Sequence, residues 1–88
     1  MTRAQRIHAQ MTSRFAPEAL EVIDDSALHA GHAGARPGGE THYTLVMVSA
    51  AFAGLNRVAR QRLVNEALAE EFSTGLHAMA LKLKAPGE

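Results

Sequence analysis

The chain has 88 residues, nine basic and nine acidic side chains, and no cysteine. Such a length makes one domain with a thin core, and here no disulfide reinforces it. A formal net charge of zero excludes a general electrostatic pull toward nucleic acid or anionic membrane, and no apolar run approaches the roughly 18 residues of a membrane span.

Thr2 is placed to cap a first helix, in which Ile7, Met11 and Phe15 recur every four residues. Met1 to Gln10 lack the apolar core of a signal peptide. Arg3 and Arg6, with no acid before Glu18, faintly resemble a transit peptide but read better as helix. Pro17 stops that helix. Leu20 to Asp24 reads as a short strand. Asp25 to Glu40 is a loop of small residues, glycines and Pro37; at about 16 residues it has the length of loops that are commonly functional or disordered. His42 to Ser49 is the clearest strand, with Tyr43, Leu45 and Met47 facing one way and Thr44, Val46 and Val48 the other. Ala50 to Leu55 reads as a turn or short helical piece ending near Gly54. Asn56 caps a long helix, Arg57 to Phe72, whose inner stripe is expected to be Leu63, Val64, Ala67, Leu68 and Phe72, with Arg57, Arg60, Gln61, Glu66 and Glu70 outside. Gly75 suits a left-handed cap. Leu76 to Leu83 is the last strand, with His77, Met79, Leu81 and Leu83 on one face, and order is expected to end at Pro86 and Gly87. The economical solution is a single α+β domain over residues 1–88: an ordered core of about 2–84, a long loop at 26–41, and a three-stranded sheet with helices on one face.

Four of the five histidines fall in two places: His29, His32 and His42 around the glycine-rich loop, and His77 in the last apolar run. Imidazole is the best borderline-soft metal ligand left to a chain without thiols. His29-x-x-His32 is a ligand spacing that His77 could join, although loop histidines are as readily solvated and a strand histidine as readily half-buried. A closed zinc site would want four ligands, usually with cysteine, and is not expected. Gly31-His32-Ala33-Gly34 matches the four-residue loop of KH domains, but it sits between strands and lacks the Lys-Ser/Thr ending of a P-loop. Arg57, Arg60 and Arg62, with Lys82 and Lys84, could touch phosphates, yet Glu66, Glu70 and Glu71 on the same helix balance them as a solvated surface would. Glu40, His42, Ser26 and the Asp24–Asp25 pair can be drawn as a triad, but no nucleophile elbow marks it and so thin a domain has little room for a substrate pocket. No enzyme is expected.

Read as a whole, the chain from Leu20 to Leu83 resembles the BolA family. The likeness rests on Glu21-Val22-Ile23-Asp24-Asp25-Ser26, the His29 loop, and Gly38-Gly39-Glu40-Thr41-His42-Tyr43. It continues in Val46-Met47-Val48-Ser49-x-x-Phe52-x-Gly54-Leu55, Arg60-Gln61-Arg62-Leu63-Val64, Leu68-Ala69-Glu70-Glu71 and Leu76-His77-Ala78-Met79-Ala80-Leu81. The resemblance implies a KH-like αββααβ fold and a partnership with a monothiol, CGFS-type glutaredoxin, the two proteins sharing a 2Fe-2S cluster in iron-sulfur trafficking or iron homeostasis. It implies that His77, opening the last strand, is one ligand, and that a loop histidine is the other. His29, at the family's spacing after Asp24-Asp25-Ser26, is favoured, with His32 as the alternative; His42 is set aside as a structural strand residue. Two imidazoles can replace two thiolates on one iron, as in Rieske centres. The glutaredoxin and its glutathione would then supply sulfur, so no cluster is expected on the chain alone. Proton competition at the imidazoles would weaken binding below about pH 6. The alternative implied by the family is a KH-like transcriptional regulator that meets DNA through Phe52 to Phe72. A metal-free adaptor is the third reading. Alone, the chain is expected to be a monomer or weak homodimer, with no membrane association. Missing cysteines suit a reducing compartment, and bacterial cytoplasm is the expected location over an organelle.

Overall fold

A computed structural model describes residues 2–25 and 41–88. The chain starts in helix α1, Arg3–Phe15, opened by the expected Thr2 cap. The Gln5 N–H donates to Thr2 Oγ1 at 3.1 Å and the Thr2 N–H donates back to Gln5 Oε1 at 2.8 Å, a reciprocal box that satisfies two donors the helix leaves open. Ala16 takes a left-handed φ of 42° and sends its N–H to Thr12 O, and Pro17 follows.

Strands β1, Ala19–Asp24, and β2, His42–Val48, pair antiparallel, with Leu20 opposite Met47 and Val22 opposite Leu45. A single 3-10 turn, Ala50–Phe52, leads to helix α2, Arg57–Ala67, capped by Asn56 as read from the sequence. Helix α3, Ala69–Ser73, and strand β3, Ala78–Lys84, complete the fold. Strand β3 lies parallel to β2, so the sheet order is β1-β2-β3 with β2 in the centre. Tyr43, Leu45 and Met47 of β2 are buried against Ile7 and Met11 of α1 and Val64, Ala67 and Leu68 of the α2 region. Thr44, Val46 and Val48 on the opposite face are only partly covered. This is the expected α+β architecture, a mixed three-stranded sheet with helices on one face.

The long helix is where the sequence reading needs correction. It breaks at Leu68, whose backbone (φ −100°, ψ 6°) closes α2 and opens α3. Leu63 and Phe72, expected in the stripe, are 39% and 37% exposed. At 100° per residue Val64, Ala67, Leu68 and Glu71 share one face, and Arg60 lies beside Val64 on it; Leu63 and Phe72 fall on its flanks. Glu71 is 3% exposed, and the side chain of Arg60, expected outside, is 12% exposed.

Burying Glu71 is tolerable because α1 brings cations to it. Arg3 Nη1 donates to Glu71 Oε1 at 2.7 Å, and Arg6 Nε donates to Oε2 at 3.0 Å. Arg3 also donates to Glu71 O, Thr74 Oγ1 and Thr74 O, so one guanidinium ties the start of α1 to the end of α3. The hydrogen bonds from Arg6 hold the Glu71 carboxyl below the ordinary carboxylate range, against the opposing effect of burial, and the charges of Arg6 and Arg3 add to them.

Glu71→Ala should therefore strand the buried Arg3 charge and destabilise the fold by about 3 kcal/mol or more in urea unfolding, with Glu71→Gln milder. A carboxyl whose folded pKa is lowered contributes its stability above the unfolded pKa and loses it as pH falls through the folded value. The stability gap between wild type and Glu71→Gln should be full at about pH 6 and shrink once pH drops below about 4. A gap that does not change with pH would contradict the ion-pair account.

Candidate functional site

Among the described residues, two places on the surface gather chemistry-bearing side chains. The first lies where β2 and β3 begin. Because these strands are parallel, with His42 in register with Ala78, their first residues share one edge of the sheet. The Thr41 carbonyl accepts two hydrogen bonds, from the His77 N–H at 2.8 Å and from the Ala78 N–H at 3.1 Å. This brings the His77 ring against that of His42, with ring centroids 5.1 Å apart and planes inclined by 50°. His42 is 7% exposed, and its Nδ1 shares a hydrogen bond with Thr41 Oγ1 at 2.9 Å. His77 is exposed.

The same edge anchors both ends of the long loop. At its entry the Asp25 N–H donates to His42 O at 2.7 Å, while Thr44 Oγ1 donates to the Asp25 carboxylate at 2.5 Å. At its exit stands Thr41. His29 and His32 lie outside the described residues, as do Ser26, Glu40 and the Gly31–Gly34 pattern. His77 differs from expectation in one respect: it precedes β3 instead of lying within it. Gly75, with φ of 130°, and the two bonds to Thr41 O delay the strand to Ala78. His42, read from the sequence as a structural strand residue, does open β2, and it is also the ring neighbour of His77. Only the parallel register reveals that; no spacing in the sequence announces it. Among the described residues no group of three or more His, Cys, Asp or Glu side chains could hold a metal. A metal bound at His77 would need donors from the loop or from a partner.

The second place is a groove of about 480 Å³ between α2 and β3. Leu55, Leu81 and Leu83 make its apolar lining, and Arg57, Arg60, Lys82 and Lys84 its cationic part. Of the three arginines singled out in the sequence, Arg57 and Arg60 line it and Arg62 does not. Arg60 is held by the Leu55 carbonyl, which accepts from Nε at 2.9 Å, and grips the Glu88 carboxylate with Nη1 and Nη2 at 2.6 and 2.7 Å. The charge balance expected within the helix is thus met elsewhere, Glu71 by α1 and Arg60 by Glu88. The tail beyond β3, where order was expected to end, is folded: Ala85 is 5% exposed, and its N–H donates to Glu88 Oε1 at 2.9 Å.

Comparison with known proteins decides the family. A sequence model described as BolA-like protein matches residues 11–88. The chain belongs to the BolA family. The solved structure of BolA1 from Arabidopsis thaliana superposes with a TM-score of 0.87 at 41% identity, over 98% of this chain and 94% of that one. A Sinorhizobium protein named for its place in the cobS 5' region is 45% identical over all of this chain and 96% of its own length. The DNA-binding transcriptional regulator BolA of Vibrio cholerae is 41% identical over 85% of this chain and 67% of its own. Other relatives are longer: the chain spans 55% of the chloroplastic Arabidopsis BOLA1. The BolA match begins within α1, at Met11, a helix that also fits the sequence resemblance. No helix among the described residues is long and apolar enough to cross a membrane.

The bidentate grip of Arg60 gives this BolA-family chain a measurable signature. Its hydrogen bonds, more than those from the Ala85 N–H, hold the Glu88 side-chain carboxyl at a pKa of about 2. Carbon-13 NMR titration should find that value in wild type and a rise toward the ordinary carboxylate range in Arg60→Gln, short of it by what the Ala85 N–H still contributes. A Glu88 titration indifferent to Arg60 would contradict the pairing.

Proposed function

We propose that this BolA-family chain is the partner of a monothiol, CGFS-type glutaredoxin and co-ligates a 2Fe-2S cluster with it, in cluster trafficking or iron homeostasis. The observation that carries this reading is the meeting of His77 with both ends of the 26–40 loop at one sheet edge. Asp25 bonds to the backbone of His42, Thr41 bonds to that of His77, and the two rings touch. The loop bearing His29 and His32 therefore departs from and returns to the immediate surroundings of His77. His77 is exposed, as a ligand shared with a second protein must be.

The residues fit half of such a centre. Imidazole nitrogens are competent iron ligands, and two of them on one iron raise the potential relative to thiolates. The chain has no thiol, so sulfur ligands come from the glutaredoxin and its glutathione. The bound cluster supplies the electron-transfer and transfer chemistry. The chain holds the His77 backbone in place through Thr41, presents the ring at the surface, and offers His29 ahead of His32 as the loop ligand. This reading assigns the chain no catalysis.

Reconstitution with a CGFS glutaredoxin, iron, sulfide and glutathione should give a coloured heterodimer. His77→Ala should abolish or visibly alter its spectrum, and His29→Ala should do so more than His32→Ala. A spectrum unchanged by His77→Ala would sink the ligand assignment.

The groove favours a second reading, a KH-like nucleic-acid-binding regulator. Arg57, Arg60, Lys82 and Lys84 concentrate cations there in a chain with no net charge, and the Vibrio relative is named as DNA-binding. Backbone contacts of this kind weaken with salt. Under this reading, oligonucleotide binding should fall as salt rises and disappear in Arg60→Glu; an absence of binding at about 50 mM salt would dispose of it.

A further inference from the structure

We infer that His42 is a positioning residue for His77: its buried ring fixes the orientation in which His77 presents its imidazole to the shared cluster. The inference rests on the cluster-partner reading above and adds a residue which that reading did not use.

An exposed histidine samples several staggered side-chain wells, whereas a metal ligand must be held within a fraction of an ångström of its working position. Metal-binding imidazoles are accordingly steadied by neighbours that are not ligands themselves. At His77 both restraints come from one dipeptide. The Thr41 carbonyl holds the backbone through the N–H groups of His77 and Ala78. The His42 ring, 5.1 Å away and inclined by 50°, stands against the side chain. That wall is itself fixed. His42 is 7% exposed and Thr41 1%, and Thr41 Oγ1 hydrogen-bonds His42 Nδ1, setting the rotation of the ring. The Asp25 N–H on His42 O adds the entry of the loop to the same dipeptide.

The test compares His42→Leu, which keeps an apolar side chain of similar bulk but no flat ring, with His42→Phe, which keeps the flat ring but no nitrogen. Each full-length variant is reconstituted with the CGFS glutaredoxin. The cluster's visible circular dichroism, the g-values of its reduced form and its rate of loss to a chelator are recorded, beside pull-down and thermal melting. In the metal-free chain, NMR couplings report the side-chain rotamer of His77. His42→Leu is expected to shift the dichroism and g-values, speed cluster loss roughly tenfold and spread His77 over more than one rotamer, with the glutaredoxin still captured. His42→Phe, which keeps the ring but not its bond to Thr41, should restore most of these, to about the level of Thr41→Val. Thr41→Val, which removes the hydroxyl bonded to the His42 ring without opening a cavity, should give the same change in milder form and decides the matter should His42→Leu fail to fold. Wild-type spectra and a single His77 rotamer in the folded variants, with His77→Ala still altering the cluster, would overturn the inference. So would equal disruption by Leu and Phe, which would make His42 a nitrogen ligand instead. If His77→Ala itself leaves the cluster unchanged, the parent reading fails, and the rotamer measurement alone then judges the restraint.

Discussion

The carboxylate of Glu71 is the point on which the arrangement hangs. It sits where three parts of the chain must agree: α1 supplies Arg3 and Arg6, α3 supplies the acid, and the turn after it carries the chain into β3. Leu76 donates its N–H to the Glu71 carbonyl at 2.9 Å, and Thr74 bonds to both Glu70 and Glu71. One buried ion cluster thereby sets how α3 ends and where His77 stands. In so small a domain each apolar layer is thin, and a buried charge with incomplete partners would cost more than any one of them returns. The cluster is complete here because Thr74 and the backbone take up the donors that Glu71 leaves on Arg3.

That arrangement explains what was legible in the sequence. Caps and alternations are local, and they were read correctly: Thr2 and Asn56 open helices, Pro17 follows one, and Tyr43, Leu45 and Met47 turn inward together. The BolA resemblance carried the topology. The errors on the helix faces came from one assumption, that charged residues on a helix face water. Glu71, buried, and Arg60, half-buried, share the inner face with Val64 and Leu68, and each is paired with a residue far away in the chain. A periodicity reading that asked which cations could meet an acid on the apolar stripe would have found Arg3 and Arg6. For the candidate site, His77 was legible as a residue type in a family pattern. The His42–His77 contact was not, because it depends on strand direction and on a one-residue register.

The two chemistries of the molecule are also separated along the sheet. Imidazoles collect where β2 and β3 start, and cations collect toward the end of β3, beside α2. With about 3.3 Å of rise per residue, His77 and Leu83 lie on the order of 20 Å apart. A partner seated at one end leaves the other accessible, so the cluster-sharing and nucleic-acid readings concern different surfaces and need not compete for the same one.

The parallel pairing of β2 with β3 has a consequence for how the chain matures. An antiparallel hairpin can close as soon as its turn forms, but a parallel pair must wait for the whole crossover of 3-10 turn, α2 and α3 to fold between its strands. The two histidine rings therefore come together only when that crossover is in place and the second strand has docked. A half-folded or frayed chain lacks the paired imidazoles altogether. Under the cluster-sharing reading, the site would double as a mark of completed folding, and a partner that recognised it would engage finished molecules only.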